Sequence, residues 1–499
     1  MFGETEDLTF LPTVTLARLL RERRVSSREL VETLLKRIET YNPTYNAVVT
    51  VDAERALRMA RAADEALARG ETWGPLHGVP VTIKDVFETA GLRTTASYPP
   101  LARYVPPRDA TVVARLRAAG AILLGKTNTP MLAMDFQTRS PVFGLTRNPW
   151  APDRTVGGST GGGAAAVAAG LSPLDIGSDI GGSIRIPAHF CGIYGFKPSE
   201  GLVSTAGHIP ELPGRPRGIR HMLVAGPLAR SVADLRLALL ILAGPDGRHW
   251  EVPPVPVEPV PGPDLRTCRI AWTDEYPEAP VSADTRSALE NLADALARAG
   301  ARVERTRPAD LDLRTAWETW GLIAGAEIGS TTPTFLRYLL RVQFRLWAGG
   351  SPMIRAAVRG AGLRMTLYAK ALTRRDRLIG ILERFLADWD AWILPVALRP
   401  AFPHWKTGRP IPVDGRRVPY WIVGIGYTCI FNLTGHPVVV VPVGRSSEGL
   451  PIGVQVVGRR WEDLRLLGIA DRIAEVVGPL PTPKPGEAAT GKSAGKASK

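Results

Sequence analysis

The sequence predicts an α/β protein, with a twisted mixed β-sheet sandwiched between helical layers, on three observations. Short β-branched runs such as Val79 to Ile83, Ile122 to Leu124 and Val438 to Val443 alternate with segments of helical periodicity. Glycines at Gly70, Gly120 and Gly300 stand where those helical segments stop. A further unit, Arg269 to Thr273, Ser282 to Ala299 and Ala301 to Arg305, reads strand-helix-strand and extends the same sheet.

Taken in order, Leu16 to Arg24 and Ser27 to Thr40 read as helices, the second opened by a Ser26-to-Glu29 capping box and stopped at Asn42-Pro43. A short strand, Ala47 to Val51, leads to a helix from Ala53 to Arg69. These first 70 residues read as a helical N-terminal layer. Val79 to Ile83 then sets Lys84 at a strand end near the core. Ala110 to Ala119 is helical, and Ile122 to Leu124 is a buried strand running into Gly125-Lys126-Thr127-Asn128. Ser231 and Asp234 cap a later helix, and the proline-rich Val252 to Pro263 is a linker or surface crossing. Residues 315 to 390 are mainly helical, within a more variable region from 265 to 400. Val454 to Val457 is a strand and Glu462 to Val477 a closing helix. Residues 1 to 479 are expected to form one discontinuous domain, and the tail 480 to 499, without core-forming residues, is expected to be disordered.

At 45% hydrophobic, the 499-residue chain has ample material for a core. A net charge of +14 invites a nucleic-acid or anionic-membrane reading, but most arginines are interspersed with acids, so no nucleic-acid partner is expected. Phe335 to Arg377 is the exception, with ten basic residues against one acid, Asp376, interleaved with leucines and aromatics. It reads as an outer helical layer with solvated arginines; contact with a membrane surface is the alternative. Cys191, Cys268 and Cys429 lack pairing or zinc spacing and suggest a reducing compartment. No leader and no long apolar run occurs, which points to a cytoplasmic protein. Seven histidines show no metal spacing, so neither metal nor cofactor is expected.

The chemistry concentrates between Gly157 and Gly201. Two small-residue turns, Gly157-Gly158-Ser159-Thr160-Gly161-Gly162-Gly163 and Gly181-Gly182-Ser183, each present a hydroxyl on nearly bare backbone, whose amides can approach a ligand. The alanine-rich Ala164 to Ala169 continues the first turn as a helix. The two serines, 24 residues apart, together with Asp179-Ile180-Gly181-Gly182-Ser183-Ile184-Arg185-Ile186-Pro187 and Cys191-Gly192, resemble the signature of the amidase signature family of serine hydrolases. The resemblance continues upstream through Gly74 to Pro80, Lys84-Asp85, Gly125 to Asn128 and Asn148-Pro149-Trp150. It resumes downstream at Asn432 to Pro437 and Gly449 to Gln455, and covers most of residues 10 to 240 and 420 to 478.

This resemblance implies an amidase fold and cleavage of a carboxylic acid amide through an acyl-enzyme. It makes Ser183 the nucleophile, Ser159 a bridge preceded by a cis peptide bond, and Lys84 the base, which burial must render neutral. It assigns the oxyanion hole to the amides of Ile180, Gly181, Gly182 and Ser183, while Asp179 and Arg185 hold that loop in shape. Thr160 stands where the family usually has serine and keeps a hydroxyl able to bond Lys84. Gly163 stands where serine or glutamate is common, Ser178 and Ser199 where threonine is, and Leu202 where arginine is. His189 and Cys191 read as packing residues. Met131, Leu132, Met134 and Phe136 resemble an acyl-pocket wall, which makes Met134 a candidate contact for an apolar acyl group. The A-type glutaminase component of a tRNA-dependent amidotransferase, freeing ammonia from glutamine, is the competing enzyme. That group usually carries Ser-Leu-Asp-Gln where this chain has His221-Met222-Leu223-Val224-Ala225. A basic binding platform with a vestigial site is the non-enzymatic alternative. The expected partner is a small-molecule amide, with a homodimer possible on the family pattern.

Overall fold

The computed structural model describes residues 7–211, 217–258, 260–348 and 350–483. The expected disordered tail falls almost wholly outside them. Eleven strands form one sheet: β1 (Val48–Val51), β2 (Pro80–Lys84), β3 (Ile122–Thr127), β4 (Leu174–Asp179), β5 (Tyr194–Lys197), β6 (Val224–Ala229), β7 (Arg269–Trp272), β8 (Arg302–Arg305), β9 (Ala391–Pro395), β10 (Val438–Arg445) and β11 (Pro451–Val457). Their order is β1-β3-β2-β4-β6-β5-β10-β11-β9-β7-β8. The pairs β2/β3, β2/β4, β7/β8 and β7/β9 are parallel and the others antiparallel, so the sheet is mixed as expected.

Every residue of β2, β3, β4, β6, β9 and β11 is buried. Apart from Lys84, Lys126, Asp175, Asp179, Gln455 and two threonines, their residues are apolar or small, because helices cover both faces. At the centre, Thr82 and Ile83 of β2 pair with Asp175 and Ile176 of β4, and Lys84 pairs with Thr127 of β3. Side chains two apart on a strand share a face. Thr82 and Lys84 therefore lie beside the row Asp175, Gly177, Asp179.

Most predicted elements are observed within a few residues. The helix Ser27–Tyr45 is a difference, because it runs past Asn42 and keeps Pro43 inside its last turn. It ends where Asn46 turns left-handed (φ 50°), and the Asn42 side chain accepts from the amides of Ala47 and Val48 at 2.8 and 2.9 Å. The strand expected to end at Leu124 runs on to Thr127, because β2 pairs from Ile122 to Thr127 and β1 pairs with Gly125 to Thr127.

The basic stretch forms the helices Thr334–Trp347, Pro352–Gly360 and Met365–Ala387. On the first, Phe335 is 76% and Leu346 80% exposed, so apolar side chains as well as arginines face outward. No helix among the described residues is long and apolar enough to cross a membrane.

Candidate active site

Lys84 ends β2 with no exposed surface. Its Nζ donates to Ser159 Oγ at 2.7 Å, to Ser178 Oγ at 3.0 Å and to the Ser178 carbonyl at 3.4 Å. Burial lowers its pKa to about 7, against the raising influence of Asp179 and Asp175. A lysine so placed is neutral in a substantial fraction near neutral pH, and a neutral amine can take a proton from a hydroxyl. Ser159 is itself fully buried, and the Gly158-Ser159 peptide is cis, as the resemblance implies. Beyond Ser159 the chain enters the buried helix Gly161–Ala168.

Ser183 follows β4 in a turn that retains some exposure. The Thr160 amide donates to its carbonyl at 3.0 Å, which sets the two glycine-serine turns side by side. Asp179 organises the second turn. Its carboxylate accepts the Gly182 amide at 2.7 Å, the Ile184 amide at 3.0 Å, and Arg185 through Nε at 3.1 Å and Nη2 at 2.9 Å. Burial pushes this carboxyl up, but Arg185 and the surrounding donors outweigh it and hold it below its ordinary range. The shaping role expected of Asp179 and Arg185 therefore has specific bonds behind it.

Two expectations change. The Gly182 amide points into Asp179, so it serves the turn and is not free for an oxyanion. The amides of Ile180, Gly181 and Ser183 donate to none of the described residues. Thr160 Oγ1 donates to the Ser178 carbonyl at 3.3 Å and not to Lys84, because the lysine is already engaged by Ser159 and Ser178.

Other contributors come from far along the chain. Ser178 Oγ lies 2.9 Å from His208 Nε2, and burial followed by the nearby Lys84 charge lowers the His208 pKa to about 3, so the imidazole is neutral. Thr428 Oγ1 donates to the Gly181 carbonyl at 2.5 Å, and Asn432 Nδ2 to the Asp179 carbonyl at 3.0 Å. Gln455 Oε1 accepts from Arg185 Nη1 at 2.7 Å, which explains why the downstream motifs accompany the serine turns. Trp320 Nε1 donates to the Ile180 carbonyl at 2.8 Å, and its ring lies where a Cβ on Gly181 would reach. None of His208, Trp320 and Thr428 had a sequence signal, since their partners lie 30 to 247 residues away.

Met134 is half-buried at the end of a short turn, Met131–Ala133. The next residues reach the site, because a Cβ on Gly158 would lie 3.0 to 3.1 Å from the backbone of Phe136, Asp135 and Gln137. His189 Nδ1 accepts the Gly453 amide at 2.7 Å, and Cys191 is buried with Sγ 3.7 Å from the Val156 carbonyl, so both pack the interior.

A buried amine of lowered basicity bonded to one hydroxyl, with a second hydroxyl in an adjoining turn of unengaged amides, is the equipment of a serine hydrolase acting on acyl groups. The sequence profile of the family described as Amidase matches residues 29–467. The chain is 36% identical to an indoleacetamide hydrolase of Bradyrhizobium diazoefficiens, over 91% of this chain and 84% of that protein. It is equally 36% identical to the A-type subunit of the glutamyl-tRNA(Gln) amidotransferase of Roseiflexus sp., over 94% of this chain and 97% of that one. Among solved structures it resembles a 6-aminohexanoate cyclic dimer hydrolase complexed with substrate, with TM-score 0.78, 28% identity, and 95% of this chain and 98% of that one covered. It also resembles a bacterial aryl acylamidase of the amidase signature family, with TM-score 0.77, 26% identity and coverage of 94% and 96%. The chain belongs to the amidase signature family, and it is a hydrolase of amide C–N bonds.

Proposed function

We propose that hydrolysis runs through an acyl-enzyme on Ser183, with Ser159 as proton bridge and Lys84 as base. The observation that carries this reading is the 2.7 Å bond from a fully buried Lys84 to Ser159. Ser183 gives its proton to Ser159 Oγ as Ser159 passes its own to Lys84 Nζ, and Ser183 Oγ bonds the substrate carbonyl carbon. The amides of Ile180, Gly181 and Ser183 receive the negative oxygen; such donors contribute roughly 3 kcal/mol each to lowering the barrier. Collapse breaks the C–N bond, and the leaving nitrogen takes a proton returned from Lys84 through Ser159. Water then attacks the ester along the same path, which releases the carboxylate and frees Ser183.

An apolar or aryl acyl group fits the segment Met134 to Phe136 beside Gly158 and the Trp320 ring at Gly181, and accords with the name indoleacetamide hydrolase of a relative, while the name aryl acylamidase points to an aryl leaving amine. We place the enzyme in the cytoplasm and assign the exposed apolar face of Thr334–Trp347 to any homodimer or membrane contact. The test is a panel of indole-3-acetamide, an anilide and glutamine, offered to the native chain and to Ser183→Ala. Turnover of an aryl amide by the isolated chain, lowered at least ~10³-fold in Ser183→Ala, supports the reading. Turnover of glutamine alone favours the amidotransferase component.

A further inference from the structure

We infer that Asp175, a residue outside the serine-lysine relay, sets the ionisation of Lys84 and thereby the acid limit of the reaction. This rests on the reading of Lys84 as base.

Asp175 and Asp179 lie on one face of β4 with Gly177 between them, and the neighbouring strand β2 presents Lys84 on that side. The base thus stands between two buried carboxylates, which differ sharply in how they are held. Asp179 is bound by Arg185 and a ring of amide donors. Asp175 has no such cation. One oxygen, Oδ1, accepts from Thr82 Oγ1 at 2.8 Å and Thr127 Oγ1 at 3.0 Å, while Oδ2 is buried without a hydrogen-bond partner among the described residues.

That bare oxygen faces the helix that starts after Ser159. A Cβ built on Gly163 would sit 2.0 Å from it, so the site tolerates Asp175 only because residue 163 has no side chain. Gly163 is the position where serine or glutamate is common in the resembled family. Here the polar group in that space is delivered from the strand, and it is a carboxyl.

Of the two carboxylates that raise the Lys84 pKa, Asp179 acts more strongly but is held by Arg185, and Asp175 is the one without an arginine partner. From β3, Lys126 is bonded to the Phe87 carbonyl, Thr89 and Thr94, and its charge faces Asp85. Asp85 accepts from the amide and hydroxyl of Thr95. Asp179 belongs to Arg185, and His208, reached through Ser178, is neutral. Burial raises the Asp175 pKa to about 7, with Lys84 and Lys126 among the groups opposing it. Lys84 and Asp175 therefore titrate together: an ionised carboxylate holds the proton on the amine, and a protonated carboxyl releases it.

Asp175→Asn keeps the shape and the acceptor for the two threonines but removes the negative charge. Without that charge Lys84 gives up its proton more readily, so the acid limb of activity moves to lower pH. The experiment is the rate of fluorophosphonate labelling of Ser183 against pH, in native protein and in Asp175→Asn. A displacement of the limb by about one unit downward is expected. The double variant Gly163→Ser with Asp175→Ala fills the space with a hydroxyl and no charge, and serves if the asparagine variant does not fold; the same displacement is expected of it. Labelled variants whose limb coincides with that of native protein overturn the inference alone. Native protein in which Ser183 takes no label at any pH overturns the reading of the relay beneath it, and the inference with it.

Discussion

Lys84, the proposed base, shows how burial lowers the pKa of a side chain that is ordinarily protonated at neutral pH. Its ammonium form is protonated below about 7, so the fraction able to accept a proton from Ser159 grows as pH rises through that value. Turnover is expected to climb tenfold per unit below pH 7 and level above it, which a pH profile of kcat/KM checks. Ser178 and His208 hold the amine from the far side. Ser178→Ala removes one acceptor and leaves His208 Nε2 without its partner; a loss of about tenfold in kcat/KM is expected, with Ser183 still labelled by fluorophosphonate. The proposed relay was legible through the family resemblance, because the two glycine-serine turns and the strand-end lysine that carry it are local patterns. Ser178 and His208 were not, because nothing between residues 178 and 208 records that the fold brings them within 2.9 Å.

At the level of elements, the turn after β4 is the part on which the proposed mechanism depends most directly. Gly182 adopts φ +132°, and a Cβ there would lie 2.3 Å from Thr428 Oγ1. Gly182→Ala is expected to displace the turn, costing about 1–3 kcal/mol and most of the labelling of Ser183; urea unfolding and labelling rate measure the two effects. The turn was legible as small residues, but not its bonding. Sequence could suggest that four amides converge on an oxyanion, whereas the structure commits Gly182 to Asp179. The same limit applies to the helix Ser27–Tyr45. Its capping box was readable, and Ser26 Oγ does accept the Glu29 amide at 3.0 Å, yet its end was set by the Asn42 contacts to Ala47 and Val48 and not by Pro43.

Across the whole molecule, Arg185 joins the two stretches that resemble the family. From its helix after the serine turn it bonds Asp179, the Thr428 carbonyl at 2.9 Å, Gln455 and Asn432. Residues 428 to 455 thus brace the glycine-serine turn after β4, and one sheet running from Val48 to Val457 supports reading the chain as a single domain. Arg185→Ala strands the buried Asp179 charge and is expected to cost about 3–5 kcal/mol in urea unfolding, far more than loss of an exposed pair such as Arg28–Glu32. The alternation of strands and helices made the sheet legible. Its strand order was not, because pairing across hundreds of residues leaves no local trace. Of the account as a whole, the claim that Ser183 is a nucleophile activated by a neutral Lys84 is tested most directly by fluorophosphonate labelling followed by mass mapping across pH. The account predicts a single adduct on Ser183 that forms faster as pH rises through about 7 and is lost in Lys84→Ala. An adduct on another serine, or labelling of Ser183 that Lys84→Ala leaves unchanged, would contradict it.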